Sequence, residues 1–122
     1  MLTQAQIHAA AQRLDTAEKT RTQIRQLSIE HPGLTIAEAY AIQSAWVEHK
    51  LSEGRIIRGH KIGLTSKAMQ SALAIDEPDS GILFDDMFFA DGGAIPPDRF
   101  IATRVEVELA FVMRSRLTAG MS

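Results

Sequence analysis

The chain has 122 residues, 45% apolar and 23% charged, with a formal net charge of −2 and no cysteine. These totals describe one small globular unit or part of a larger one, exclude disulfides and thiol catalysis, and give nucleic-acid binding no basic stripe to work with. No apolar run approaches the roughly 20 residues that cross a membrane, and the N-terminus shows no cationic region followed by an apolar one, so the expectation is a cytoplasmic protein with no membrane partner.

Thr3 is a plausible N-cap, followed by Ile7, Ala10, Ala11, Leu14 and Ala17 at helical spacing. That pattern predicts an amphipathic helix over about 4–19, with Gln6, Gln12, Arg13, Asp15 and Glu18 on its wet face. A shorter apolar pattern, Ile24, Leu27 and Ile29, breaks at His31-Pro32-Gly33. Thr35 and Glu38 then have capping-box spacing, and Ala39, Ile42, Trp46 and Val47 continue a helix up to Leu51, with Gly54 placed for a left-handed stop. Tyr40 and Trp46 read most simply as packing residues of this helix.

Residues 55–65 change to β-branched residues and glycine, which predicts a strand. Alternation puts Ile57, Gly59, Lys61 and Gly63 on one face, with Ile56, Arg58, His60, Ile62 and Leu64 on the other. A lysine flanked at i−2 and i+2 by glycines suggests a close approach to that face. A twisted edge strand with an exposed lysine explains the same residues, and His60 reads as a packed or edge histidine. Thr65 or Ser66 can cap a short helix carrying Ala68, Met69, Leu73 and Ile75. Its N-terminus could accept a carboxylate-bearing ligand, although ordinary capping needs none.

The stretch 76–98 is rich in turn formers. Ile82-Leu83-Phe84 forms a candidate short buried strand, Asp91-Gly92-Gly93 a tight turn, and the acids among residues 76–86 can be loop solvation. Arg104–Phe111 alternates strictly, with Val105, Val107, Leu109 and Phe111 opposite Arg104, Glu106, Glu108 and Ala110, which predicts a half-buried strand. On such a strand Glu106 and Glu108 point the same way, about 6.6 Å apart. They could bridge a hard divalent cation or simply stand in water.

Four ordered motifs together resemble the hydratase/decarboxylase branch of the fumarylacetoacetase superfamily. They are Gly59-His60-Lys61-Ile62-Gly63-Leu64-Thr65-Ser66, Glu77-Pro78-Asp79-Ser80-Gly81, Asp85-Asp86-Met87 and Arg104–Phe111, within a likeness over about 7–113. The resemblance implies an α+β fold. A helical N-terminal region, 1–54, would precede the first part of a β-rich catalytic domain, 55–122, a mixed β-structure that is truncated here. It also implies Glu106 and Glu108 as two ligands of Mg²⁺ or Mn²⁺, Lys61 and Asp79 as catalytic residues, and Leu64, Thr65 and Ser66 as substrate-binding. The implied reaction is hydration of a 2-hydroxy-2,4-dienoate or 2-oxo-3-enoate diacid in aromatic-compound degradation. Decarboxylation of a 4-oxalocrotonate-type acid and a non-catalytic assembly module are the alternatives. Implied partners are the small-molecule substrate, copies of the same subunit in the full-length relative, and a decarboxylase subunit of the same branch. A third carboxylate ligand and the rest of the curved β-structure would follow in such a relative, so the 122-residue chain by itself is expected to be inactive.

Overall fold

The computed structural model describes residues 1–116; the last part of the predicted β-rich region, 117–122, lies outside them. Helix α1 spans Gln4–Thr20, α2 Leu27–Glu30, α3 Ile36–Ser52 and α4 Lys67–Leu73, while strands β1 (Ile57–Gly63) and β2 (Asp79–Phe84) pair antiparallel. Two short 3₁₀ turns follow at Asp85–Met87 and Pro97–Arg99. This is the α+β pattern expected, with a two-stranded sheet among the described residues.

Both long helices begin where their side chains satisfy the orphan N–H groups of a first turn. The Thr35 hydroxyl accepts the Glu38 N–H at 3.2 Å and the Glu38 carboxylate accepts the Thr35 N–H at 3.0 Å. Thr3 and Gln6 repeat the reciprocal arrangement at α1. Glu38 also accepts the Leu2 N–H, tying the chain's start to α3. Backbone hydrogen bonds from Thr35 and Leu2, with the Thr35 hydroxyl, hold its carboxyl down to about 2. At the far end of α3 Gly54 has φ +89°, the left-handed stop that the sequence required.

Helices α1 and α3 pack through Ile7, Ala10, Ala11 and Ile42, with Leu14, Leu34, Ala45 and Trp46 around them. Alanines on α1 let the two backbones approach. Asp15, placed on the wet face by helical spacing, is instead only 3% exposed. The reason is a cation from α3: Lys50 Nζ lies 2.8 Å from Asp15 and 2.8 Å from Glu18, and 5.3 Å from the centre of the Trp46 ring. Lys19 adds a second contact to Asp15 at 2.8 Å. Burial pushes the Asp15 carboxyl up, but the hydrogen bonds from Lys19 and Lys50 outweigh it and bring it down to about 2.

The sheet joins this helical pair through Phe84, fully buried and edge-on to Trp46 with ring centres 5.5 Å apart. Trp46 is therefore a packing residue, as its place on α3 suggested. The start of β1 is pinned by an acid: Asp85 accepts the Ile56 N–H at 3.0 Å and its own N–H donates to the Ile56 carbonyl. Asp86 meets Arg55 at 3.2 Å and Arg99 at 3.0 Å. Two of the acids attributed to loop solvation thus hold the hairpin's open end.

One predicted element does not form. Residues 103–113 have no regular secondary structure, and Val105, Val107, Leu109 and Phe111 are 85–98% exposed. Alternation orients a strand's side chains, but its N–H and C=O groups need a neighbouring strand. Among the described residues none lies beside this segment.

Candidate functional site

The β1–β2 register determines which residues share a face. Lys61 pairs with Gly81 and Gly63 with Asp79, so Lys61 and Asp79 stand on the same side of the hairpin, diagonally opposed. Of the two glycines flanking Lys61, Gly63 is explained here. A Cβ built on Gly63 would lie 2.2 Å from Asp79 Oδ1, so the Asp79 carboxyl occupies the space a side chain at 63 would need. The close approach expected on that face comes from the chain's own aspartate. At Gly81 a Cβ would lie 3.4 Å from Lys61 Cγ, so the bare glycine there accommodates the lysine stem.

Asp79 differs from its expected place in one respect. It opens β2 and is part of the ladder, where the Pro-Asp-x-Gly sequence suggested a turn. Proline at 78 is compatible with this because it sits just before the strand and donates nothing to it.

Above this face lies a cavity of about 390 Å³, a size suited to a small metabolite. Lys61 and Asp79 line it with Leu64, and Tyr40, Gln43, Ile75 and Glu77 are among the other residues of its wall. Among the described residues Leu64 is one of three non-glycine residues with positive φ, at +52°. Such a backbone costs about 1–2 kcal/mol for a residue with a Cβ. The Gln70 carboxamide, itself 4% exposed, offsets that by donating to the Leu64 carbonyl at 2.6 Å. The corner that ends β1 is thereby fixed, and its left-handed backbone turns Leu64 toward the cavity that Lys61 lines, not to the opposite face where strict alternation would put it.

Thr65 and Ser66 are not among the cavity's lining residues. Ser66 is the N-cap of α4, accepting the Met69 N–H at 3.1 Å, and this is the ordinary capping role weighed from the sequence. Glu106 and Glu108 are exposed on the irregular segment 103–113 and likewise do not line the cavity. Their chemistry fits Mg²⁺ or Mn²⁺, since two hard carboxylate donors can fill part of an octahedral oxygen shell and leave the remainder to water and substrate. His60 is exposed on the hairpin's other side, as an edge histidine.

A second cluster has a metal-like composition. Asp15, His49 and Glu53 bring ligand atoms within 4.8 Å of one another. Lys19 contacts both Asp15 and Glu53, and Lys50 contacts Asp15, so ammonium groups already supply the positive charge there. The cluster is an ion network between α1 and α3.

Sequence reasoning passed over Tyr40 and Gln43 as polar residues. The Ser80 N–H donates to the Tyr40 hydroxyl at 3.0 Å, and Gln43 Nε2 donates to the Ser80 carbonyl at 3.1 Å. The available signal was their i, i+3 spacing, which places both on one face of α3.

No protein-family model matches the chain. It is 62% identical over 107 residues to the 2-oxo-hept-4-ene-1,7-dioate hydratase of Escherichia coli, covering 88% of this chain and 40% of that protein. The chain is a homologue of this hydratase. It is also 42% identical over 112 residues to the 2-keto-4-pentenoate hydratase of Paraburkholderia xenovorans, covering 92% of this chain and 42% of the relative. Among solved structures, the 4-oxalocrotonate decarboxylase of Pseudomonas putida G7, complexed with magnesium and adipate, superposes with a TM-score of 0.69 at 32% identity. That match covers 70% of this chain and 33% of the decarboxylase. The resemblance to the hydratase/decarboxylase branch therefore holds in both sequence and fold. The chain spans about two-fifths of the length of the curated hydratases it matches.

Proposed function

We propose that this chain carries the lysine–aspartate part of the active site of a metal-dependent hydratase acting on a 2-oxo-heptenedioate or its 2-hydroxydienoate tautomer. The observation that carries the reading is the β1–β2 register, which sets Lys61 and Asp79 on one face and against one cavity. The 62% identity to a hydratase of such a diacid supports the substrate class.

Lys61 supplies a positive charge on a short tether, suited to a substrate carboxylate and to the negative charge that builds on the 2-oxygen as the dienol ketonises. Asp79 is the proton carrier. It takes the proton leaving the 2-hydroxyl while carbon 5 gains one, which gives the 2-oxo-3-enoate. Water then adds at carbon 4, and its released proton balances the one gained at carbon 3. The apolar part of the wall, Leu64 and Ile75 included, keeps bulk water from the hydrocarbon chain. Glu106 and Glu108 would hold a Mg²⁺ or Mn²⁺ ion, which when bound acts as a Lewis acid on the 2-oxo carboxylate. The reading carries with it a cytoplasmic setting, a homo-oligomeric full-length protein and association with a decarboxylase subunit of the same branch.

The test is a chimera in which this chain replaces the matching 107 residues of the E. coli hydratase. It is expected to consume the 2-hydroxydienedioate with magnesium present and to release no carbon dioxide from 4-oxalocrotonate. A folded chimera that decarboxylates 4-oxalocrotonate and leaves the dienedioate untouched would establish the alternative reaction.

A further inference from the structure

Strand β2 has an outer edge, and an unpaired edge is a place where a strand can shift or fray. At Ser80 both backbone groups on that edge are occupied, the N–H by the Tyr40 hydroxyl and the carbonyl by Gln43 Nε2. The partners lie 40 and 37 residues away in sequence, both on α3. One donor and one acceptor from the helix thus do for Ser80 what a third strand would do. Ser80 lies between Asp79 and Gly81, the two residues that face Gly63 and Lys61 across the hairpin.

We infer that Tyr40 and Gln43 are positioning residues. Their two-point clamp on Ser80 seats the Asp79 carboxyl over Gly63 and so fixes its place relative to Lys61. The functional meaning of that seat rests on the hydratase reading, but the clamp itself is a structural statement with its own readouts. The Tyr40 hydroxyl uses its acceptor capacity on Ser80, and its own O–H donates to no protein group among the described residues. It therefore also offers a hydrogen-bond donor to whatever enters the cavity that it lines.

The test is amide hydrogen exchange and NOE spectroscopy on the whole chain, comparing wild type with Tyr40→Phe, Gln43→Leu and Gln43→Lys. Tyr40→Phe keeps the ring and removes only the oxygen. The Ser80 N–H should exchange about tenfold faster, as expected for one lost hydrogen bond. The NOE between Gly63 Hα and Asp79 Hβ should weaken in Tyr40→Phe and in Gln43→Leu, and return in Gln43→Lys, which restores a donor of similar reach. Protection at Leu83, whose N–H faces β1, should stay at the wild-type value, which separates loss of the clamp from general destabilisation. An unchanged Ser80 rate in Tyr40→Phe, or a Gly63–Asp79 NOE at full strength in both clamp-deficient variants, would overturn the inference. A rise in exchange at Leu83 equal to that at Ser80 would overturn it too. None of these readouts depends on turnover, so failure of the clamp and failure of the hydratase reading remain distinguishable.

Discussion

Two stretches of this molecule carry the marks of a strand, and only one becomes a strand. Residues 57–63 include two glycines, which weaken a strand, yet they pair with β2, with one irregularity between Ile57 and Gly59. Residues 104–111 alternate without a fault and stay irregular and exposed. The difference is the neighbour. Strand β1 has β2 to bond with, Asp85 to pin its start, and α3 close to its partner's outer edge. The alternating segment has side chains sorted for a sheet and no sheet beside it among the described residues. Periodicity records which way side chains would face, and hydrogen-bonding partners decide whether the element exists.

The sharpest way to probe that contrast is a pair of aromatic truncations. Phe84→Ala removes a fully buried ring from the Trp46 contact and is expected to cost about 3–5 kcal/mol in a chemical denaturation series. Much of the hairpin's attachment to the helices would go with it.

The ion network joining α1 to α3 comes next. Asp15→Ala leaves the buried Lys50 ammonium without its main partner, and breaking such a pair costs about 3 kcal/mol. The same carboxyl predicts an acid limit. Its folded value, about 2, lies below the usual range, so its contribution is present above about pH 4 and fades as the pH falls toward 2. Glu38, also held near 2, shares that window. Thermal melts between pH 5 and pH 2 should show the loss in wild type, and a flatter profile in Asp15→Asn.

Gly63→Ala separates stability from site geometry. The added methyl meets the far end of a flexible side chain, so melting should change by about 1 kcal/mol or less. Displacing the Asp79 carboxyl by an ångström should still lower turnover of the chimeric hydratase about ten- to a hundredfold. Smallest of all is Phe111→Ala. Its ring is 85% exposed, and denaturation should shift by less than about 0.5 kcal/mol.

Local rules made much of the fold legible. The capping residues Thr3, Thr35 and Ser66, the positive φ at Gly54, and the face shared by Lys61 and Gly63 all follow from near neighbours in the chain. What was not legible depends on distant ones. Asp15 reads as a solvent-facing acid until Lys50 arrives from α3, and Tyr40 reads as a packing ring until β2 brings the Ser80 N–H to its hydroxyl. Of the glycines around Lys61, Gly63 does mark a close approach, and only the register shows that Asp79 makes it; Gly59 meets ordinary contacts. For the site itself, the family resemblance names Lys61, Leu64 and Asp79 together, whereas alternation alone puts Leu64 opposite Lys61; Glu106 and Glu108 lie on a segment with no strand beside it among the described residues.

The central claim is that one face of the β1–β2 hairpin handles the substrate and the other does not. Turnover of the 2-hydroxydienedioate by the chimera, measured for Lys61→Met beside His60→Ala, tests it directly, because the two residues are neighbours on opposite faces. The account predicts a loss of about a hundredfold or more for Lys61→Met, with His60→Ala within about threefold of the parent. Equal losses at the two positions, or an active Lys61→Met enzyme, would contradict it.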